Sequence, residues 1–210
     1  PYAPYAGHDI NYIALAGALA HFGRAGEKPT PPINLVGDFG GGGMMLAFGM
    51  ASALLNVARG GDGQVIDCAM TDGTAVLMAM IHGMMNMGVW SEDRGANLLD
   101  TGAHFYDTYE TADGKFVSIG SIEPQFYAEL RRIAGLEDDA AFDAQHDKAK
   151  WAGLKDKLTA LFRAKTRAEW DALMEQTDVC YAPVLTMSEA IAHPHNAARG
   201  TFVEVGGSMQ

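Results

Sequence analysis

The chain has 210 residues, 48% of them apolar, which is enough for one large domain or two small ones with a packed core. The 15 Lys+Arg and 26 Asp+Glu give a formal net charge of −11, which repels nucleic acid and anionic lipid surfaces and excludes both as expected partners. The cysteines, Cys68 and Cys180, lack metal-site spacing and are expected to be small buried side chains. Their free thiols are consistent with a cytoplasmic location, which is the expected one. No membrane span is predicted, since polar residues and glycines interrupt the most apolar stretch, 75–90.

Two helices are expected before residue 60. The apolar pattern from Asp9 to Phe22 predicts a helix of small residues, with Asp9 available as its N-cap. Prolines between 29 and 32 then force an extended approach to Asp38. A long helix is expected to start after the four glycines Gly40–Gly43 and to end before residue 60.

The next segments indicate an α/β layer and a domain boundary. Gln64–Ala69 predicts a short buried strand, and 71–87 predicts a second apolar helix. The charged, glycine-containing bridge 91–97 has few apolar residues that could bury contacts. We therefore expect a break near residue 100.

The remainder of the chain predicts an α+β unit. Phe105–Thr111 and Lys115–Gly120 flank an Asp-Gly turn and predict a hairpin. A short strand is expected at 179–184. Helices are expected from Pro124 to about Ala134, at 148–164, and after two capping boxes, Thr166–Glu169 and Thr186–Glu189.

Two proton-transfer groups stand out, each beside glycine and an expected helix start. His8 lies in Gly7-His8-Asp9-Ile10-Asn11-Tyr12, and Asp38 follows in Asn34-Leu35-Val36-Gly37-Asp38-Phe39-Gly40. Imidazole can both accept and donate a proton near neutral pH, and partial burial favours the protonated carboxyl that an acid requires. Two such groups on opposite sides of one carbon could remove a proton from one face and return it to the other. That is the chemistry of a racemase.

An enolate made in this way needs hydrogen-bond donors for its oxygen. Backbone amides at a helix start after Gly40–Gly43 are the candidates. Each feature also has a purely structural interpretation. His8 and Asp38 could cap helices or form turns, and the tetraglycine could be a tight crossing of two segments.

Several other functions lack their motifs. Asp38-Phe39-Gly40 matches the kinase metal-binding tripeptide, but the other kinase motifs are missing. The glycine run lacks the ending of a phosphate-binding loop, and no dinucleotide fingerprint follows a strand. The histidines, including His193 and His195, have no zinc-site spacing, so no metal is predicted.

Glu123 and a group of methionines are the remaining candidates. Glu123 precedes Pro124 at a helix start, where capping and chemistry are equally plausible roles for a carboxylate. Flexible thioethers could line a surface that tolerates varied acyl chains, although core packing is the favoured interpretation. The methionines concerned are Met44, Met45, Met78, Met80, Met84, Met85 and Met87.

Several ordered motifs together resemble alpha-methylacyl-CoA racemases of the family III CoA-transferase superfamily. The likeness runs almost from end to end, and the ordered set is far more specific than any one motif. The motifs are the His8 and Asp38 segments at 7–12 and 34–42, Gly63-Gln64-Val65-Ile66-Asp67, Arg94-Gly95-Ala96-Asn97-Leu98-Leu99-Asp100, Phe105-Tyr106-Asp107-Thr108-Tyr109 and Ile122-Glu123-Pro124-Gln125-Phe126-Tyr127.

The resemblance implies specific roles. His8 would exchange the proton on the S face of a 2-methylacyl-CoA and Asp38 the proton on the R face, through a planar enolate, while Glu123 would hydrogen-bond the histidine. No cofactor is implied, because coenzyme A is part of the substrate. The residues implied to line the substrate pocket are Asp9, Tyr12, Asn34, Gly37, Gly40 and Tyr106.

The resemblance also implies a fold: part of a large α/β domain, a smaller α+β domain, and an interlocked homodimer. The domains are expected at 1–100 for the large-domain part with linker helices, 101–195 for the small domain, and 196–210 for the start of a return segment. The chain is expected to be truncated at both ends, lacking a segment that carries most contacts to coenzyme A. The 210-residue piece is therefore expected to bind its thioester weakly or not at all.

Two alternatives remain open. In a family III CoA-transferase, Asp38 would be acylated as a nucleophile and His8 would not be needed. The chain could also be a non-catalytic acyl-binding or dimerisation fragment whose methionine-rich helices contact a partner.

Overall fold

The fold is taken from a computed structural model that describes residues 4–210. Two compact units divide the chain between Ala103 and His104, beside the break expected near residue 100. Residues 196–210 group with the second unit, and their role as a return segment stays a prediction.

All regular elements in the described part of the first unit are helices, and irregular segments connect them. Helix α1 is shorter than predicted, because Gly17 adopts a left-handed φ of 82° and a separate 3₁₀ turn follows. His8 is the N-cap of α1 and Asp9 is its first residue, so the prediction of Asp9 as N-cap is wrong. The helices are α1 Asp9–Leu15, a π-helix Leu35–Met44, α2 Met45–Ala58, α3 Met70–Leu77 and α4 Ala79–Asn86.

The glycines Gly40–Gly43 lie inside the π-helix, so the predicted helix start after them is wrong. The helical path begins at Leu35, directly after the left-handed residue Asn34. Glycine has low intrinsic helix propensity, but tertiary packing overrides such preferences. In a π-helix each amide donates to the carbonyl five residues back, so these four amides bond within the helix.

The packing that stabilises this path is a close crossing of the π-helix and α3. A Cβ on Gly73 would collide with the carbonyl oxygen of Gly41, and a Cβ on Gly41 would come within 2.7 Å of the Thr74 nitrogen. The two backbones are therefore in contact, which only glycine permits. Of the two interpretations of the tetraglycine, the structure supports the tight crossing.

Two further predictions in this unit need correction. Gln64–Ala69 has no regular secondary structure, and Val65 is 97% exposed. A strand needs a hydrogen-bonded neighbour, and the described part of this unit contains no other strand. The predicted helix 71–87 forms as two helices, because Met78 at ψ 1° interrupts it.

One continuous helical segment, Leu35–Ala58, has the length and apolar composition to cross a membrane, although the sequence predicted no span. The prediction of no span depended on the lack of an uninterrupted run of apolar side chains, and the glycines and Asp38 interrupt the run in this segment. Length and composition alone are weak evidence, because core helices of other proteins meet the same criteria.

A small core stabilises the first unit beneath α1. Ile13 and Ala18 are fully buried and pack with Met78. This core joins α1 to the 3₁₀ turn that follows it, to the π-helix and to α3–α4. Leu19, Phe22, Val36 and Ile81 pack against it.

The second unit contains an antiparallel sheet of order β1-β2-β3, formed by Tyr106–Glu110, Phe116–Gly120 and Tyr181–Pro183. The predicted hairpin is confirmed, with Glu110 opposite Phe116. Its turn uses Gly114 at φ 70°, a conformation that glycine adopts without strain.

The predicted helices of this unit are confirmed to within a few residues. Thr166 and Thr186 both form the expected capping boxes with the glutamate three residues later. The elements are α5 Pro124–Ile133, α6 Trp151–Phe162, α7 Arg167–Met174, α8 Met187–Ala192, α9 Pro194–Arg199, and a hairpin of β4 Glu204–Val205 and β5 Ser208–Met209.

Aromatic side chains fill the core of the second unit. Phe162 stacks on Tyr109 at 5.0 Å and contacts Trp170, joining the sheet to α6 and α7. Cys180 is exposed, at a left-handed φ of 58° just before β3, so its predicted burial is wrong. Cys68 is half-buried, and both thiols are free.

Candidate active site

The carboxylate of Asp9 joins the two candidate segments. Asp9 is 1% exposed, and its Oδ2 accepts hydrogen bonds from the backbone nitrogens of Gly37 at 2.7 Å and Asp38 at 2.8 Å. Because Asp9 follows His8 directly, this contact brings the two motifs together across a separation of 28 residues. His8 itself is exposed at the start of α1, and its backbone nitrogen donates to Asn11 Oδ1 at 3.0 Å.

Asn34 holds the side chain of Asp38. Its Nδ2 donates to Asp38 Oδ2 at 2.7 Å, and Asp38 is half-buried in the first turn of the π-helix. The preceding backbone is strained, since Ile33 and Asn34 have left-handed φ values of 45° and 62°. This conformation is rare for a β-branched residue, and such strain clusters at functional sites.

The other residues implied for this pocket in the first unit lie in close packing. Gly37 is buried against Asp9, where a Cβ would come within 2.5 Å of Oδ2. Gly40 packs close to Leu77 of α3. Tyr12 is half-buried and its hydroxyl lies over Gly7, so a side chain at Gly7 would displace it.

Glu123 and Tyr106 belong to the second unit. Glu123 occupies the N-cap of α5 and is exposed, with Pro124 as the first helical residue. Its side chain makes no capping hydrogen bond, and the helix dipole alone favours a carboxylate at this position. Tyr106 begins β1 and lies opposite Gly120, with its ring over that glycine.

Two of the cavities in the first unit are of about 500 Å³ or more, which is large enough for parts of a ligand. One, of about 510 Å³, lies beside α1 and is lined in part by Gly7, Asn11 and Tyr12. The other, of about 660 Å³, is mainly apolar, with Arg24 and Glu27 among its polar lining residues. Its apolar lining includes Phe22, Met78, Met80, Ile81, Trp90 and Leu99.

The methionines divide between core and surface. Met78 is buried, as the favoured interpretation required. Met44, Met80 and Met87 are 68%, 59% and 71% exposed, so the prediction of core packing is wrong for these three within this chain.

The arrangement places an imidazole, on His8, and a carboxyl group, on Asp38, on segments that Asp9 joins. The predicted donors for an enolate oxygen are not supported, because the amides of Gly40–Gly43 lie inside the π-helix. Across residues 4–210, no three metal-binding side chains are close enough together to hold an ion.

Sequence reasoning missed two contributions to this geometry. Asp9 was assigned to a cap and to the pocket lining, whereas its carboxylate fixes the Asp38 segment. Gly73 was given no role, although a glycine within a helical pattern lowers helix stability and can have a packing reason. The clamp by Asp9 has no sequence signal, since it links residues far apart in the chain.

Comparison with known proteins identifies the family. The profile described as CoA-transferase family III matches residues 1–209. Over 205 residues the chain is 48% identical to an alpha-methylacyl-CoA racemase of Mus musculus, covering 98% of this chain and 54% of that protein. The corresponding racemase of Homo sapiens is 47% identical over 198 residues, covering 94% and 52%.

Solved structures confirm the predicted fold class. A CAIB/BAIF family protein from Brucella suis matches with a TM-score of 0.75 and 24% identity, covering all of this chain and 56% of that one. The chain spans about half the length of the racemases it matches.

Proposed function

Because this chain belongs to CoA-transferase family III, we propose that the intact protein containing it is an alpha-methylacyl-CoA racemase. It interconverts R and S 2-methylacyl-CoA thioesters. The observation that carries the proposal is the Asp9 clamp, which brings the segments of His8 and Asp38 together. The identity with two proteins named as such racemases supports the choice of reaction.

The reaction is a proton exchange at the carbon next to the thioester. One residue removes the α-proton, and the electron pair of that C–H bond moves into the thioester to form an enolate. The other residue returns a proton to the opposite face, and the enolate electrons reform the C–H bond. Starting from the S form, His8 is the base and Asp38 the acid; starting from the R form, the roles reverse.

Other residues are proposed to support this pair. Asn34 orients the Asp38 carboxylate through its 2.7 Å hydrogen bond. Glu123, whose side chain makes no capping bond, stays the predicted hydrogen-bond partner of the histidine. The apolar cavity bordered by Met80 and Trp90 suits the acyl chain, because thioethers adapt to different shapes. A cytoplasmic location, an interlocked homodimer and cofactor-free chemistry stay predictions.

The direct test is incubation of the intact protein with a single enantiomer of 2-methylacyl-CoA in deuterated water. A racemase incorporates deuterium at the α-carbon as the opposite enantiomer forms. Loss of optical activity without deuterium, or no change at all, would contradict the proposal.

CoA transfer is the second candidate function, because the family is named for it. Asp38, half-buried and oriented by Asn34, could form an anhydride with the acyl group and release the CoA thiolate. In the net reaction an added free carboxylate becomes a CoA thioester, and the original acyl group leaves Asp38 as a free carboxylate without α-deuterium. That result would establish the transferase instead.

A further inference from the structure

The turn that carries Glu123 is held by contacts from several segments of the second unit. It connects the end of β2 to the start of α5 through Ser121 and Ile122. The Ser121 nitrogen donates to the Phe105 oxygen at 3.0 Å, and its hydroxyl donates to the Val179 oxygen at 2.5 Å. Ser121 is fully buried, so this end of the turn is anchored to both sides of the sheet.

One side chain from a distant loop holds the other end of the turn. Gln145 is 7% exposed, and its Nε2 donates to the Ser121 oxygen at 3.0 Å and to the Ile122 oxygen at 2.9 Å. A glutamine amide nitrogen has two hydrogens, so both are used here. The contact spans 23 or 24 residues of sequence.

Gln145 is itself fixed in place. It lies between two short 3₁₀ turns, and its backbone oxygen accepts a hydrogen bond from Trp151 Nε1 at 2.8 Å. Trp151 is 5% exposed at the start of α6. The loop is thus tied to a helix that is packed into the core.

The hydrogen bond from Gln145 to the Ile122 carbonyl has a direct consequence for Glu123. The Ile122 carbonyl and the Glu123 nitrogen belong to one planar peptide unit. Holding that oxygen therefore fixes the orientation of the peptide from which the Glu123 side chain leaves the backbone. One turn later, the Tyr127 hydroxyl pairs with His104 Nε2 at 2.8 Å and limits rotation of α5.

We infer that Gln145 is a positioning residue for Glu123: its two amide hydrogen bonds set the direction of an exposed carboxylate that has no capping bond of its own. The inference rests on the proposed function, in which Glu123 hydrogen-bonds the proton-carrying histidine. Nothing in the sequence marks Gln145, because it is a single polar residue in a loop.

The test replaces Gln145 by methionine, which has a similar shape and no hydrogen-bond donors. We expect kcat for α-proton exchange to fall about tenfold with KM changed by less than about twofold, because a small misplacement of a catalytic group slows chemistry more than binding. The control is Tyr181→Phe, which removes a different, partly buried hydrogen bond of this unit, from the hydroxyl to Asp171, and should leave kcat unchanged.

A double-mutant cycle distinguishes positioning from general destabilisation. In a Glu123→Gln background, Gln145→Met should change kcat by less than about twofold, because the group that it positions is already lost. An equal loss of kcat in both backgrounds, or an unchanged kcat in the single variant, overturns the inference. If Gln145→Met does not fold, the same cycle with Gln145→Asn decides, since the shorter side chain cannot reach both carbonyls.

Hydrogen exchange separates this inference from the proposed function. Mass spectrometry of the peptide covering 116–127 should show faster amide exchange in Gln145→Met and not in Tyr181→Phe. A wild-type protein without α-proton exchange refutes the racemase and the role for Gln145 that depends on it, even if the peptide loosens. An active wild type whose variant loosens the peptide without lowering kcat refutes the role of Gln145 alone.

Discussion

At the level of single residues, one buried carboxylate joins the segments that carry His8 and Asp38. Asp9 Oδ2 accepts two backbone amides from the segment that carries Asp38, and Gly37 leaves no room for any side chain at that contact. Hydrogen bonds from amides to an ionised carboxylate are stronger than those between neutral groups. The position of Asp38 relative to α1 therefore depends on Asp9.

Replacing Asp9 by alanine should disturb both stability and activity. One buried and one partly buried amide would lose their acceptor, which costs about 2 kcal/mol of unfolding free energy. Displacement of Asp38 should lower the racemisation rate by roughly tenfold or more, because a small misplacement of a catalytic group slows the chemical step strongly. Urea unfolding and a racemisation assay measure the two effects.

The matched control is Asp62→Ala, in an exposed loop of the same unit, which should shift stability by less than about 0.5 kcal/mol. An Asp9→Ala protein as stable and as active as Asp62→Ala would show that the clamp has no role.

The sequence was sufficient to single out His8, Asp38 and Glu123 by residue type and motif. It could not assign the function of Asp9 or Gln145, because both act on backbone atoms of distant segments. Almost every residue type carries the same backbone N–H and C=O groups, so contacts to the backbone leave no pattern in a single sequence. The donors for the enolate oxygen were wrongly assigned because the helix begins at Leu35, before the glycine run.

At the level of secondary-structure elements, the close crossing of the π-helix and α3 shapes the first unit. Gly41 and Gly73 place the two backbones in contact, and the glycine run continues as helix instead of preceding one. The segment that carries Asp38 is thereby packed against α3. Any side chain at the crossing would separate the two helices.

A Gly73→Ala substitution should destabilise the first unit by about 3 kcal/mol, because the added methyl group collides with the carbonyl of Gly41 and overpacks a site without space. Thermal or urea unfolding measures the loss. Gly153→Ala is the control: Gly153 lies exposed in α6 with open space around it, so alanine should stabilise that helix by about 0.5–1 kcal/mol. Similar unfolding curves for both variants would contradict the crossing.

Local chemistry explains which elements the sequence predicted well. The hairpin, the capping boxes at Thr166 and Thr186 and the start of α5 at Pro124 depend on neighbouring residues, and all are confirmed. The tetraglycine helix and the segment Gln64–Ala69 depend on tertiary partners. Their local patterns therefore predicted the wrong structure.

At the level of the whole molecule, the chain has a family III CoA-transferase fold and about half the length of the racemases it resembles. Large apolar side chains such as Phe48 and Leu54 are 74% and 70% exposed along α2. The ordered motifs predicted this family correctly because they combine several segments at once. The choice between racemisation and CoA transfer needs a measurement on the reaction itself.

The most direct measurement follows α-deuterium exchange separately for the R and S thioesters, with the intact protein and its His8→Ala and Asp38→Asn variants. Two opposed proton carriers predict that each variant loses racemisation by a factor of about 10³. Each should keep exchange of only one enantiomer, the R form in His8→Ala and the S form in Asp38→Asn. Racemisation at the wild-type rate in either variant would contradict the two-residue account.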